Sequence, residues 1–112
     1  MDKKPTAEEI FEKIKYIRDN LDDTAFLLAI AEEASEVTEA ALKLVRAGGA
    51  VFNPTPVTEE EANDNLKEEL QDLIMVLFTA GINVPRLAVD TINSGHKLDR
   101  WVERIREAKQ NE

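Results

Sequence analysis

Apolar residues recur along this chain at steps of three and four, and no stretch alternates convincingly with period two. That spacing predicts amphipathic helices. Ile10, Ile14, Ile17 and Leu21 mark the first. It opens with a capping box, Thr6-Ala-Glu-Glu9, in which the Thr oxygen and the Glu carboxylate can satisfy free N–H groups. A second helix is expected from about Thr24 to Ala47, capped by Asp22, Asp23 or Thr24 and ended by Gly48-Gly49. The run GGAVFNPTPVT follows, and its two prolines and two glycines exclude a helix. A second capping box, Thr58-Glu-Glu-Glu61, starts a third helix that should run to about Ala80 and stop at Gly81. A fourth is expected from near Pro85 to about Lys109, with Gly95 as a point of bending or interruption. The expected architecture is all-α: one domain over residues 1–112, an up-down four-helix bundle whose amphipathic helices bury further surface by dimerising.

Two helices break their own pattern. On the second, Phe26, Ile30, Val37, Ala40 and Leu44 mark one face, and Glu33 fills the seven-residue gap between Ile30 and Val37. Glu36 lies three residues on, nearly on the same face, and Glu32 flanks it about 100° round the helix. The third helix repeats the anomaly. Its stripe is Ala62, Leu66, Leu73, Leu77 and Ala80, with Glu69 in the gap and Asp72 three residues later. If the two helices are antiparallel neighbours, the two acid-x-x-acid pairs can meet at one level. Unpaired buried carboxylates cost several kcal/mol each. Crowded ones share protons or bind cations. Hard oxygen ligands in this number suit Mg²⁺ or Mn²⁺. The competing reading is solvated acids at a stripe edge. A second pair in register on a second helix weighs against it.

Composition narrows the function classes. The net charge of −9 argues against non-specific binding of nucleic acid or an anionic membrane. The absence of cysteine excludes disulfides, thiolate catalysis and cysteine–metal sites. A single histidine, His96, with no Glu three residues before it, disfavours a di-iron bundle. No apolar run reaches membrane-span length and the N-terminus lacks the apolar run of a signal peptide, so a cytoplasmic protein is expected. In this acidic chain, Lys97, Arg100 and Arg104 form a basic ridge at helical spacing, with Asn93 and His96 just before it. The ridge suits either ion pairs with neighbouring acids or contact with phosphate. Tyr16 and Trp101 are expected to pack, and Phe11, Phe26 and Phe52 to fill a core or anchor a loop.

Glu32-Glu33-x-x-Glu36 followed by Glu69-x-x-Asp72 resembles the signature of the MazG-like all-α nucleoside triphosphate pyrophosphohydrolases. LAIAEEASEVTEAALKLVRA resembles that family's first motif helix and NLKEELQDLIMVLF its second. HKLDRWVERI resembles the basic end of short phage- or integron-type members. The resemblance implies Mg²⁺-dependent hydrolysis of a nucleoside triphosphate to the monophosphate and pyrophosphate, a nucleotide house-cleaning role, and a homodimer or homotetramer. It implies metal ligands at Glu33, Glu36, Glu69 and Asp72. Glu32 matches a further acid of the first motif, which with Glu36 is a candidate catalytic base. Phosphate contacts are implied at Lys97, Arg100 and Asn93. The chain departs from the family pattern in two places: the long separation of Glu36 and Glu69, which are 33 positions apart, and Gly95 within the basic segment. Two rivals accompany this expectation. One is a non-catalytic helical interaction module. The other is a relative specialised on a single substrate such as dCTP, dUTP or phosphoribosyl-ATP.

Overall fold

A computed structural model describes residues 3–49 and 51–111. The chain is all-helical over the described residues, with five helices: α1 (Ala7–Asn20), α2 (Asp23–Ala47), α3 (Glu59–Thr79), α4 (Val84–Ser94) and α5 (His96–Gln110). Two compact units divide it, Met1–Ile82 and Asn83–Glu112.

The helix starts follow the sequence signals. Thr6 Oγ1 accepts from the Glu9 N–H at 3.1 Å, and its hydroxyl donates to the Glu9 carboxylate at 3.2 Å. The box is therefore closed side chain to side chain, rather than by Glu9 reaching back to the cap N–H. Asp22 caps α2, accepting from the Ala25 N–H at 2.8 Å, and Thr58 caps α3, accepting from the Glu61 N–H at 3.1 Å.

In the first unit, α2 and α3 form an antiparallel hairpin. Lys43 and Ala62 line one cavity near the connecting loop, while Glu36 and Glu69 meet half-way along, so the two sequences run in opposite directions. The predicted stripes are the faces that meet. Phe26, Ile30, Glu33, Val37 and Leu44 are half-buried on α2, as are Leu66, Glu69, Leu73 and Leu77 on α3. Ala40 and Ala62 are the two buried hydrophobic residues among those described, 2% and 1% exposed. Their small side chains are fully covered, which suits a close approach of two helices. α1 packs against α3, and Arg18 fastens it there. The guanidinium donates to the carbonyls of Thr79 at 2.7 Å and Phe78 at 3.2 Å; Phe78 also accepts from the Gly81 N–H at 3.0 Å, so it is the Thr79 carbonyl at the α3 C-terminus that gains its partner from Arg18.

In the second unit, Asn83 caps α4 by accepting from the Arg86 N–H at 3.0 Å, and Pro85 sits in the first turn as expected. The expected fourth helix is two helices. Gly95 adopts a left-handed conformation at φ 72°, which ends α4 and precedes α5. Glycine pays no Cβ penalty there. Neither α4 nor α5 contains a buried residue.

Large apolar side chains are widely exposed. Trp101 and Tyr16, expected to pack, are 59% and 70% exposed, and Phe11 and Phe52 are 67% and 87% exposed. The apolar faces are where the periodicity puts them, but the described chain supplies few elements to cover them. No single helix is long and apolar enough to cross a membrane.

Candidate metal centre

The acids of the α2 and α3 stripes come together. Glu33, Glu36 and Glu69 each offer a carboxylate oxygen, and the three oxygens lie within 4.8 Å of one another. All three residues are half-buried. Helical periodicity accounts for it: Glu33 and Glu36 are one turn apart on α2, and Glu69 sits opposite on α3. Glu33 Oε2 and Glu69 Oε2 are covered from solvent and have no hydrogen-bond partner while the carboxyls are ionised; only a proton shared with Glu36 gives these residues one. A covered, unpartnered carboxylate oxygen is unusual, since buried polar atoms are almost always satisfied.

The electrostatics follow from the crowding. Burial pushes the Glu33 carboxyl above the usual carboxylate range. The charges of Glu36 and Asp72, hydrogen bonding with Glu36 and the charge of Glu32 push it the same way. Glu69 is raised too, by burial first, then by hydrogen bonding with Glu36 and by the charges of Glu36, Asp72 and Glu33. Glu36 therefore acts on both neighbours and stands at the centre of the set.

The other residues singled out from the sequence fall into three groups. Asp72 is exposed and outside the set of three oxygens, yet near enough for its charge to raise both Glu33 and Glu69. Glu32 is exposed beside Glu33. Asn93 on α4, and Lys97 and Arg100 on α5, are exposed residues of the second unit. None of these three forms an ion pair among the described residues, where the one such pair is Arg86–Asp90 at 3.1 Å. The sequence reading assigned nothing to Arg18. Its partners are main-chain carbonyls, which any residue could supply, so no sequence signal marks the clasp.

The donor set fits a hard divalent cation. Oxygens around one octahedral Mg²⁺ stand about 2.9–4.1 Å apart, given metal–oxygen distances of about 2.0–2.1 Å. A set within 4.8 Å reaches that range by small side-chain rotations. A cation would also supply the missing partner of each covered oxygen and relieve the mutual repulsion.

No known protein family, curated protein or solved structure matches this chain.

Proposed function

We propose that this protein is a Mg²⁺-dependent nucleoside triphosphate pyrophosphohydrolase of the MazG-like kind, converting (d)NTP to (d)NMP and pyrophosphate in nucleotide-pool house-cleaning. The observation that carries the reading is the meeting of Glu33, Glu36 and Glu69 with two covered oxygens lacking partners. Acidic groups also gather without a metal, so the covered oxygens count for more than the convergence itself. The motif resemblance supplies the reaction class.

In this reading Glu33, Glu36 and Glu69 hold the metal, and Asp72 adds charge at the rim. Mg²⁺ held by them would supply positive charge for the substrate phosphates and lower the pKa of water at the site. Glu32, exposed and next to the set, is placed by its position on α2 to accept the proton of the attacking water, with Glu36 as the alternative base. Attack at phosphorus breaks the bond to the pyrophosphate leaving group. The motif resemblance alone implies that Lys97, Arg100 and Asn93 would contact phosphate. Mn²⁺ offers the same oxygen preference and should substitute for Mg²⁺.

We further propose that the working form is a bundle-like homodimer or homotetramer. On α2 the residues Leu27, Leu28, Leu42 and Val45 are 52–67% exposed, and on α3 Leu70, Ile74, Met75 and Phe78 are 42–58% exposed. Burying a fully exposed side chain of this kind is worth about 1.5–3 kcal/mol, and covering what remains of each of these about half of that. Eight of them on one hairpin are a strong drive to association. A non-catalytic interaction module would explain these surfaces equally well, but it gives no reason for the convergent carboxylates.

The test is incubation of the purified protein with a panel of NTPs and dNTPs plus Mg²⁺, with pyrophosphate as the readout. Release from at least one nucleotide is expected, lost in Glu36→Gln and in Asp72→Asn while the helical circular dichroism persists. Silence across the panel, from folded protein with excess metal, would remove the enzymatic reading.

A further inference from the structure

The cavities of the first unit differ in charge. One on α1 is lined by Glu9 and Glu12 with Lys13, Tyr16 and Ile17. Two near the start of α3 include Glu59 and Glu60 in one case and Glu61 in the other. A further one, of about 430 Å³, is lined by Lys43, Arg46, Asn53, Pro54, Thr55 and Val57 with no carboxylate among them, and it shares Lys43 and Val57 with the cavity that includes Glu61. Residues 1–82 contain 18 acidic and 8 basic residues. A cleft there with two cations and no acid stands against the composition.

Cations near a helix C-terminus ordinarily serve its carbonyls and its dipole. Here they do not bond to it. The Leu44 carbonyl accepts from the Gly48 N–H at 3.1 Å, and the Arg46 carbonyl from the Gly49 N–H at 3.2 Å. Among the described residues, the ion pair found is Arg86–Asp90, and Lys43 and Arg46 take part in no side-chain hydrogen bond. Both are nonetheless half-buried, so part of each side chain is held rather than free in solvent. Asn53, also half-buried, spends its carbonyl oxygen on the Thr55 N–H at 3.1 Å, which leaves its NH₂ group as a donor. The Thr55 hydroxyl can donate as well. The polar side chains of the wall thus offer an ammonium, a guanidinium, an amide NH₂ and a hydroxyl, all able to donate.

We propose that this cleft binds the phosphate group of a small phosphorylated metabolite. Lys43 serves as a point charge and Arg46 as a planar fork for the phosphate oxygens. Pro54 and Val57 give an apolar wall for the carbon body, and the volume lies in the range of small-molecule sites. The site is separate from the acid cluster. Lys43 and Arg46 lie seven and ten residues beyond Glu36, about 10 and 15 Å along α2 at its rise per residue. It needs no metal.

The experiment is a titration of the whole protein with inorganic phosphate and with pyrophosphate, followed by amide NMR shifts. A chelator is present, and chloride holds the ionic strength constant. Saturable shifts are expected at residues 43–46 and at the amides of 53, 55 and 57. Binding should weaken about tenfold or more in the double variant Lys43→Gln, Arg46→Gln, whose helix propensity is nearly unchanged. The variant's circular dichroism and its thermal response to Mg²⁺ should match those of the starting protein, which checks the fold. Shifts that never saturate, that persist at residues 43–57 in the double variant, or that occur at the α5 cations and not at residues 43–57 overturn the proposal. Because the titration is metal-free and leaves Glu33, Glu36 and Glu69 intact, a protein indifferent to Mg²⁺ would still give the expected result. The two readings therefore fail separately.

Discussion

Glu33 and Glu69 should make metal binding a proton-releasing event whose size depends on pH. In the unfolded chain both return to an ordinary carboxyl value of 4.5; in the folded chain both are raised, by burial and then by surrounding acids. Above pH 4.5 the unfolded chain loses these protons first, so the folded state holds more of them and the stability slope with pH is negative. Their effect on the metal-free protein is thus a loss of stability as pH rises through the raised values, and no loss below 4.5, where both states are protonated. A metal takes the ionised form. Binding should release up to two protons, one from each glutamate, near the acid edge of the window and none once both are already ionised. Calorimetry in two buffers of different ionisation enthalpy counts these protons across the pH range. Thermal melts give the second readout. At a free metal concentration a hundred times Kd, linkage adds about 2.7 kcal/mol, or about 10 °C or more in midpoint for a chain of this size. Glu33→Gln should raise the metal-free midpoint at alkaline pH, remove one of the released protons and weaken the metal response. A midpoint indifferent to both Mg²⁺ and Mn²⁺, or a proton count of zero at every pH, refutes the reasoning.

Three further outcomes test the framework. Ala62 is 1% exposed where α3 meets α2, so Ala62→Leu should overpack the seam and cost about 1–3 kcal/mol, read as a lower urea midpoint. An unchanged midpoint would mean the hairpin is loosely packed. Leu28 and Ile74 are 67% and 50% exposed, and replacing both with Arg should convert an oligomer to monomer in light scattering. An unaltered mass would move the interface off these faces. Gly95 is left-handed at φ 72°, so Gly95→Ala should cost about 1–2 kcal/mol by straining the break, seen as faster amide exchange in α4 and α5. Unchanged exchange would show that the break tolerates a Cβ.

Much of the site was legible because helical periodicity is a geometric rule. The gaps at Glu33 and Glu69 identified the two residues whose covered oxygens have no partner. What periodicity could not decide was the side. Glu36 and Asp72 each follow a stripe glutamate by three residues and so lie about 60° off it. Glu36 turns toward the partner helix and joins the set of three, while Asp72 stays exposed. Spacing within one helix does not contain the direction of its neighbour. Gly95 was undecidable for a related reason. A single glycine can continue a helix at about 1 kcal/mol or stop it in the left-handed region, and surroundings choose between these. The exposure of Leu27, Leu28, Ile74 and Phe78 was invisible too, since an apolar face reveals that something covers it and not what. Lys43 and Arg46 lie within the segment that resembles the first motif helix, but the acid spacing assigns them nothing; their cleft exists only once the loop of residues 53–57 is folded beside α2.

The charge distribution constrains how a triphosphate could be attracted to the acid cluster. Residues 1–82 carry 18 acidic and 8 basic side chains, a net of −10, and residues 83–112 carry 5 and 6, a net of +1. The summed field of the first unit therefore opposes an anionic substrate. Screening confines that opposition to roughly 8–10 Å at physiological salt, so the groups next to the phosphates decide the sign. Around Glu33 those groups are Glu32, Glu36, Glu69 and Asp72, all acidic. Protonating two of them lessens the repulsion but yields no attraction. A cation held among these acids reverses the local sign, so in the proposed function productive nucleotide binding requires metal, bound beforehand or carried in with the triphosphate. Under that proposal the raised carboxyls would have a role beyond coordination. They let the metal-free cluster shed part of its charge as bound protons, which lowers the cost of keeping the ligands together until the metal displaces those protons.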